Sequence, residues 1–410
     1  MVFRKYKPAS QWGKQDTRIF KAILNARNER KMPNFDIPEA VKNLGVIVHD
    51  PTKKEFFDKS FLIDVANEHR AKQIMHPLYK DTPCRLFEAQ EPMSDGVDQA
   101  LVLSNSVLRT EFPVHVMEKA LEHFDENKVR DSILHGERYD ATLDKLPRRF
   151  DPVLFWVTHP RLHGTPVVKR GNIILDNLLR HIVLASIGNK QLSSSQIKQS
   201  RDEPFSVAVN KLPFSAQNPL VIRGQPHITL SHESTTLPHP WATPEEVEST
   251  SHEPVPSISP LSPLIDLSSN NIYNDEVVCA RSYEQNVSIH SLLWTREQNQ
   301  KYPWTTEQNA ACAVLYAYGA AMAESQRRRN YGISSNSPIV CRAVQLVDGR
   351  LDLVAIQLNY NGTTEETKKN IVWLQKGLRL YKPRPFYEQL ETVEELNMDT
   401  FKKLSALILS

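Results

Sequence analysis

The sequence predicts an α+β protein: a mixed sheet with flanking helices, a C-terminal helix–β-hairpin–helix unit, and long irregular arms. Three observations carry this. Thr305 and Thr306 offer capping hydroxyls, after which Ala310, Ala313, Val314, Ala317, Tyr318 and Ala321 recur at the spacing of one helical face. The runs Pro338 to Leu346 and Leu351 to Asn359 flank Asp348-Gly349, the dipeptide suited to a tight hairpin because both turn residues must reach positive φ. Short apolar runs between residues 152 and 223 read as strands around one helical segment.

Taken in order, the first thirty-one residues hold nine Lys/Arg against Asp16 and Glu29. That charge suits a mitochondrial import segment, an arm lying on phosphate, or a solvated tail. Residues 1–75 are expected to form a basic extension or docking arm, with Ser60 to Ala66 as one element meeting the body. Residues 76–224 form a first α/β part. Helices are expected over Gly96 to Leu108, Val114 to Phe124 and Asn177 to Ser186. Strands are expected at Pro152 to Val157, a buried one, and at Val167 to Arg170, Phe205 to Asn210 and Leu220 to Arg223. Ser193 to Ser195 reads as a loop.

Between residues 225 and 275 there is no Lys or Arg, against seven acids, four histidines and eight prolines. Such a stretch builds no core easily, so an extended arm or linker is expected, with Leu264, Ile265 and Leu267 as apolar anchors. Residues 276–410 form the C-terminal α+β part. Lys382 to Pro385 reads as a stiff spacer. A last helix, capped by Asp399 or Thr400, places Phe401, Leu404, Leu407 and Ile408 on one face.

A chain of 410 residues has room for two or three cores, and 40 % hydrophobic with 24 % charged residues is ordinary globular composition. The longest apolar window, Ala310 to Ala323, falls short of the roughly 20 residues that cross a bilayer. Cys84, Cys279, Cys312 and Cys341 are too sparse for a disulfide framework and read as reduced, buried thiols.

Catalytic and ligand motifs are weak throughout. Ser195-Gln196-Ile197-Lys198 has the spacing of a serine–lysine pair but no companion motif. His159 and His163 have zinc spacing on a helix, yet Pro160 opposes helix there, and His227, His232, His239 and His252 lie in the Pro-rich arm. Glycine-rich phosphate loops and a nucleophile elbow are missing from the sequence, and no cofactor or metal is expected. Basic pairs are the features that remain. Arg327, Arg328 and Arg329 point in three directions around a helix end, so one can serve the helix dipole while another reaches RNA phosphate. Lys169, Arg170, Arg148 and Arg149 are further RNA-contact candidates, with Lys368-Lys369 and Lys402-Lys403 weaker.

Several blocks in one order carry a resemblance. They are His76-Pro77-Leu78-Tyr79-Lys80-Asp81 before Cys84, Gly96 to Leu101, Ser259 to Leu267 with Asn271-Ile272-Tyr273, and Leu315 to Gly319. Gln357 to Asn359, Asn370 to Trp373 and Thr400 to Leu407 complete the series. Together these resemble the family of mitochondrial ribosomal protein 37 of the large subunit, whose wider group includes the programmed cell death protein 9 type. The blocks cover roughly residues 76 to 108 and 255 to 409, and the middle is similar only loosely. The resemblance implies a non-enzymatic, structural constituent of the ribosome in the mitochondrial matrix. It implies packing against large-subunit rRNA and neighbouring ribosomal proteins, the paralogous programmed cell death protein 9 type among them. His76, Tyr79 and Lys80, with Leu264, Ile265 and Leu267, are the partner-contact candidates. A net charge of +2 is low for a protein that coats RNA, which gives weight to protein contacts. The rival readings are a soluble hydrolase-like enzyme, whose His/carboxylate site the sequence does not reveal, and an RNA-binding protein outside ribosomes.

Overall fold

The computed structural model describes residues 18–19, 21–22, 36–45, 79–138, 144–149, 151, 153–188, 197–210, 212, 217–233, 240–273, 287–298, 302–332, 338–359, 368–384 and 391–410. The chain divides into two units, Met1–Pro77 and Leu78–Ser410. In the first, α1 (Glu39–Asn43) is a short helix entered from Pro38. The expected element at Ser60 to Ala66, the basic first residues apart from 18–19 and 21–22, and the Ser193 to Ser195 loop lie outside the described residues.

The second unit begins with β1 (Tyr79–Phe87), α2 (Gly96–Ser104), β2 (Ser106–Arg109), α3 (Val114–Met117), α4 (Glu126–Glu137), β3 (Asp144–Lys145) and β4 (His163–Gly164). It continues with α5 (Val167–Gly188), β5 (Ile197–Arg201), β6 (Phe205–Val209), β7 (Leu220–Gly224), β8 (Ile228–Glu233), α6 (Pro244–Ser249) and β9 (Ser268–Tyr273). It ends with β10 (Val287–Thr295), α7 (Thr306–Asn330), β11 (Ile339–Val347), β12 (Arg350–Leu358), β13 (Asn370–Arg379) and α8 (Met398–Leu409). The strands form a seven-stranded sheet in the order β2-β13-β12-β11-β10-β8-β5, a four-stranded sheet β6-β7-β1-β9, and the β3–β4 pair. Both larger sheets mix parallel and antiparallel neighbours. This is the expected α+β class.

The helix–hairpin unit is its centre. Thr305 and Gln308 close a capping box at the start of α7, so two otherwise orphan amides find acceptors. Asp348 and Gly349 both have positive φ, 50° and 68°, which joins β11 to β12 in unbroken register from Ile339↔Leu358 to Val347↔Arg350. β10 and β11 run parallel, and α7 is the crossover between them. The helix is buried on every side and not on a single face, because it lies between the two sheets. Its small residues let both layers come close. On the seven-stranded sheet, Ile339, Cys341 and Ala343 face α7, while Val340, Val344 and Leu346 face a second layer of α3, α4, α5 and α8. Burial of both faces explains why these strands read as continuous apolar runs.

Gly319 marks a close approach of α7 to the smaller sheet. A Cβ there would stand 2.3 Å from Ile222 Cγ2 on β7 and 3.1 Å from Phe205 Cε2 on β6. In an exposed helix, Gly→Ala stabilises by about 1 kcal/mol. Here Gly319→Ala is expected to destabilise instead, by about 1–3 kcal/mol, because the stiff Ile222 branch cannot yield. A lower urea midpoint measures it.

Several local expectations are corrected. Of the expected buried strand at Pro152 to Val157, the described residues 153–157 form an exposed turn instead. The Asp151 carboxylate accepts the Val153 and Leu154 amides at 2.9 and 3.0 Å, and Val157 N–H donates to the Leu154 carbonyl at 2.9 Å. The backbone is thereby committed to a turn, not to a ladder. Val167 to Arg170 opens α5 instead of forming a strand, because Arg170, Ile174, Leu175, Leu178, Leu179 and Ile182 share its buried face. The expected helix over Gly96 to Leu108 stops at Ser104, where Asn105 takes φ 49°, and Leu108 joins β2. Only Val114–Met117 of the next expected helix is helical. Asn397, not Asp399 or Thr400, caps α8 by accepting both of their amides. Within residues 225–275, β8 is an inner strand of the large sheet and β9 an edge strand of the smaller one. Cys84, Cys312 and Cys341 are free and buried, and burial pushes the last two thiols up to about 12. Among the described residues, no helix is long and apolar enough to cross a membrane.

Candidate nucleic-acid interface

A cleft of about 570 Å³ opens where the Asp348-Gly349 hairpin tip meets the start of α5 and the end of β13. Its lining holds seven cations, Arg149, Arg170, Arg296, Arg350, Arg379, Lys382 and Arg384, against the acids Glu137, Glu297 and Asp348. Glu394 and Glu395 flank it and pair with Lys382, Arg384 and Arg379, which tempers the excess. Three groups at the floor are fixed. Arg170 Nη1 donates to Glu137 Oε2 at 2.7 Å, and the Tyr381 hydroxyl donates to Glu137 Oε1. Burial, then the Glu137 charge, hold the Tyr381 phenol well above its usual value, so it remains a donor. The Arg296 guanidinium lies 3.6 Å from the centroid of the Trp304 ring and binds Asn309 and Gln298, neutral partners that do not cancel its charge. The Nε atoms of Arg170 and Arg296 are buried without a hydrogen-bond acceptor. The positive end of the α5 dipole adds to the field at the same place. An array of guanidinium groups around a helix start fits phosphate.

The sequence candidates divide by burial. Arg148, Arg149 and Lys169 are exposed; Arg149, which follows β3, lines the cleft, and Lys169 lies in the first turn of α5. Arg170 faces inward as described. Arg327 and Arg328 are only 3 % and 6 % exposed. Glu324 Oε2 accepts from Arg327 Nε at 2.9 Å, and Glu324 Oε1 accepts from Arg327 Nη2 at 2.8 Å and Arg328 Nε at 2.9 Å. Only Arg329 of the three is exposed, where it reaches Ser325. The pairing itself was legible, since Glu324 stands three and four residues before the two arginines and all three share one helical face, but its burial was not. Arg296, Arg350 and Arg379 carried no comparable signal, because they meet from three distant segments.

Among curated proteins, the chain is 27 % identical to large ribosomal subunit protein mL37 of Rattus norvegicus over 364 residues, which is 83 % of this chain and 78 % of that protein. With mL37 of Bos taurus it shares 28 % over 360 residues, 82 % and 77 % of the two chains. With mL37 of Gallus gallus it shares 25 % over 356 residues, 81 % and 75 %. The chain is similar to the mL37 proteins over about four-fifths of its length. No protein-family model matches it.

Similarity to mL37 over four-fifths of the chain extends into the middle, where the sequence alone offered only a loose likeness. The partner-contact candidates fall in two places. Leu267 is buried in the core around α7, and Leu264 packs against it, so both pin residues 262–267 to their own chain. Asp266 fixes that segment by accepting the Ser94 amide and hydroxyl at 2.7 and 2.9 Å. Ile265 is exposed. Tyr79 and Lys80 begin β1, beside β9, and His76 lies outside the described residues.

Of the strongly perturbed titrating groups, Tyr381 lines the cleft, whereas His232, His290 and Asp352 do not. Burial lowers His232 to about 4 and His290 well below the imidazole range, and raises Asp352 to about 6. His232 and His290 pack edge to face at 5.8 Å beside Arg342, in the core. His159 and His163 are not helical. Among the described residues, no three His, Cys, Asp or Glu side chains gather as a metal site.

Proposed function

We propose that this protein is a structural constituent of the mitochondrial large ribosomal subunit, without an enzymatic role, packing against rRNA and neighbouring ribosomal proteins. The observation that carries the reading is the relationship to large ribosomal subunit protein mL37 across about 80 % of the chain. The cleft and its rim supply the surface for RNA: Arg148, Arg149 and Lys169 outside, Arg296 and Arg350 within. Arg329 offers a second RNA-facing charge at the end of α7. The displaced histidines and Asp352 serve the core and not a substrate cleft, which supports a scaffold over a hydrolase. The near-neutral charge leaves room for protein neighbours, including a paralogue of the programmed cell death protein 9 type.

Sedimentation of mitochondrial lysate tests the assignment. The protein is expected in the large-subunit fraction, and its absence there sinks the reading. The joint variant Arg148→Gln, Arg149→Gln and Lys169→Gln tests the RNA surface on the purified chain. Exposed positions of this kind shift stability by no more than about 0.5 kcal/mol, so the fold is retained. RNA binding is expected to weaken, and the salt dependence to flatten by about 0.7–0.9 for each phosphate that is no longer neutralised. An unchanged slope would rule out these three side chains.

A further inference from the structure

The turn after Asp151 holds an aromatic pair out in solvent. Phe155 and Trp156 are 71 % and 66 % exposed, and their rings meet edge to face with centroids 5.0 Å apart. Val153 is exposed beside them. Such a contiguous apolar surface marks a binding site more often than chance exposure. The turn is fixed from within by the two amides on Asp151 and by the Val157 to Leu154 hydrogen bond, so the rings are presented on a set backbone. The surroundings are cationic. Residues 145–163 contain Lys145, Arg148, Arg149 and Arg161 with Asp151 as the sole acid. Arg149 stands two residues before Asp151, at the start of the turn. Arg149 also lines the basic cleft. One arginine therefore joins the aromatic surface to the basic cleft.

We propose that Phe155 and Trp156 are a stacking surface for unpaired bases of an RNA strand whose phosphates pass Arg149 into the cleft. The cores of protein-binding patches are depleted in charge, whereas four Lys/Arg in the nineteen residues around this turn match a polyanion. Exposed aromatics beside arginines are the means by which single-stranded RNA is held without reading its sequence. The inference rests on the RNA-packing reading above.

The test uses the full chain, a labelled short single-stranded RNA and a blunt RNA duplex of equal length. The Phe155→Ala/Trp156→Ala variant, and a Phe155→Leu/Trp156→Leu variant that keeps apolar bulk without a π face, are compared with the parent. Both are expected to bind the single strand at least about fivefold more weakly, with the salt slope and the duplex affinity unchanged. Equal denaturation midpoints confirm the fold, and the leucine pair serves if the alanine pair misfolds. Wild-type affinity in the leucine variant overturns the stacking role. Unchanged RNA binding with lost incorporation into the large subunit overturns it in favour of a protein occupant. A parent chain that binds neither RNA defeats the broader RNA reading, whereas a parent that binds both with no effect of either variant defeats this inference alone.

Discussion

Glu324→Ala is expected to lower the unfolding free energy by about 3–5 kcal/mol, because it removes the counter-charge of two buried guanidinium groups. Glu324 is 1 % exposed and receives three hydrogen bonds from Arg327 and Arg328. Without it, both arginines remain enclosed near Ser288 of β10 and keep their charge. The urea midpoint should fall at constant slope, whereas Arg329→Ala on the exposed side should cost no more than about 0.5 kcal/mol. The pH dependence has a definite sign. Burial pushes the Glu324 pKa up, but the hydrogen bonds and charges of Arg327 and Arg328 more than offset this, so it lies below the usual carboxylate value. A depressed carboxylate contributes stability that is present above its unfolded pKa and lost as pH falls through its folded pKa. The gap between parent and Glu324→Ala should therefore be full near neutrality and close only in acid. A gap independent of pH would mean that packing, not charge, sets the loss.

Glu137→Ala should also destabilise by about 3–5 kcal/mol, and for a related reason: Arg170 keeps its charge in a buried site and the Tyr381 hydroxyl loses its acceptor. Glu137 ends α4, Arg170 lies in the first turn of α5 and Tyr381 follows β13, so the loss should loosen three elements at the cleft floor together. Melting by circular dichroism reads the change. Combining Glu137→Leu with Arg170→Met separates charge from shape, since a packed apolar pair often recovers the stability of a buried ion pair. Recovery in the double variant, with RNA affinity intact, would assign Arg170 to the fold alone. Recovery with weakened RNA binding would show that its charge also serves the cleft.

How far each feature could be read from the residues depends on the range of the forces that decide it. The hairpin needed only Asp348-Gly349 and its flanking runs, because positive φ at two successive positions is a local demand. The capping box of Thr305 and Gln308 is likewise a matter of three residues. The run Val153 to Val157 misled because an apolar stretch has no fixed direction until something covers it, and here Asp151 claims its amides first. Val167 to Arg170 misled because branched residues favour strands only until a longer helical face outweighs them. The cleft was beyond reach, since its arginines come from segments as far apart as Arg149 and Arg384.

By itself, the sequence determined the α+β class, the central helix, the hairpin and its turn, and the kinship blocks that point to a ribosomal protein family. Those rest on local backbone demands and on residue order. Tertiary structure alone decided which charges face water. Arg327 and Arg328 turn inward because the sheet strand β10 closes over them and Glu324 neutralises them, while Arg148, Arg149 and Lys169 stay outside because no described element packs over them. A cation's burial depends on what packs across from it, and no window of residues contains that information.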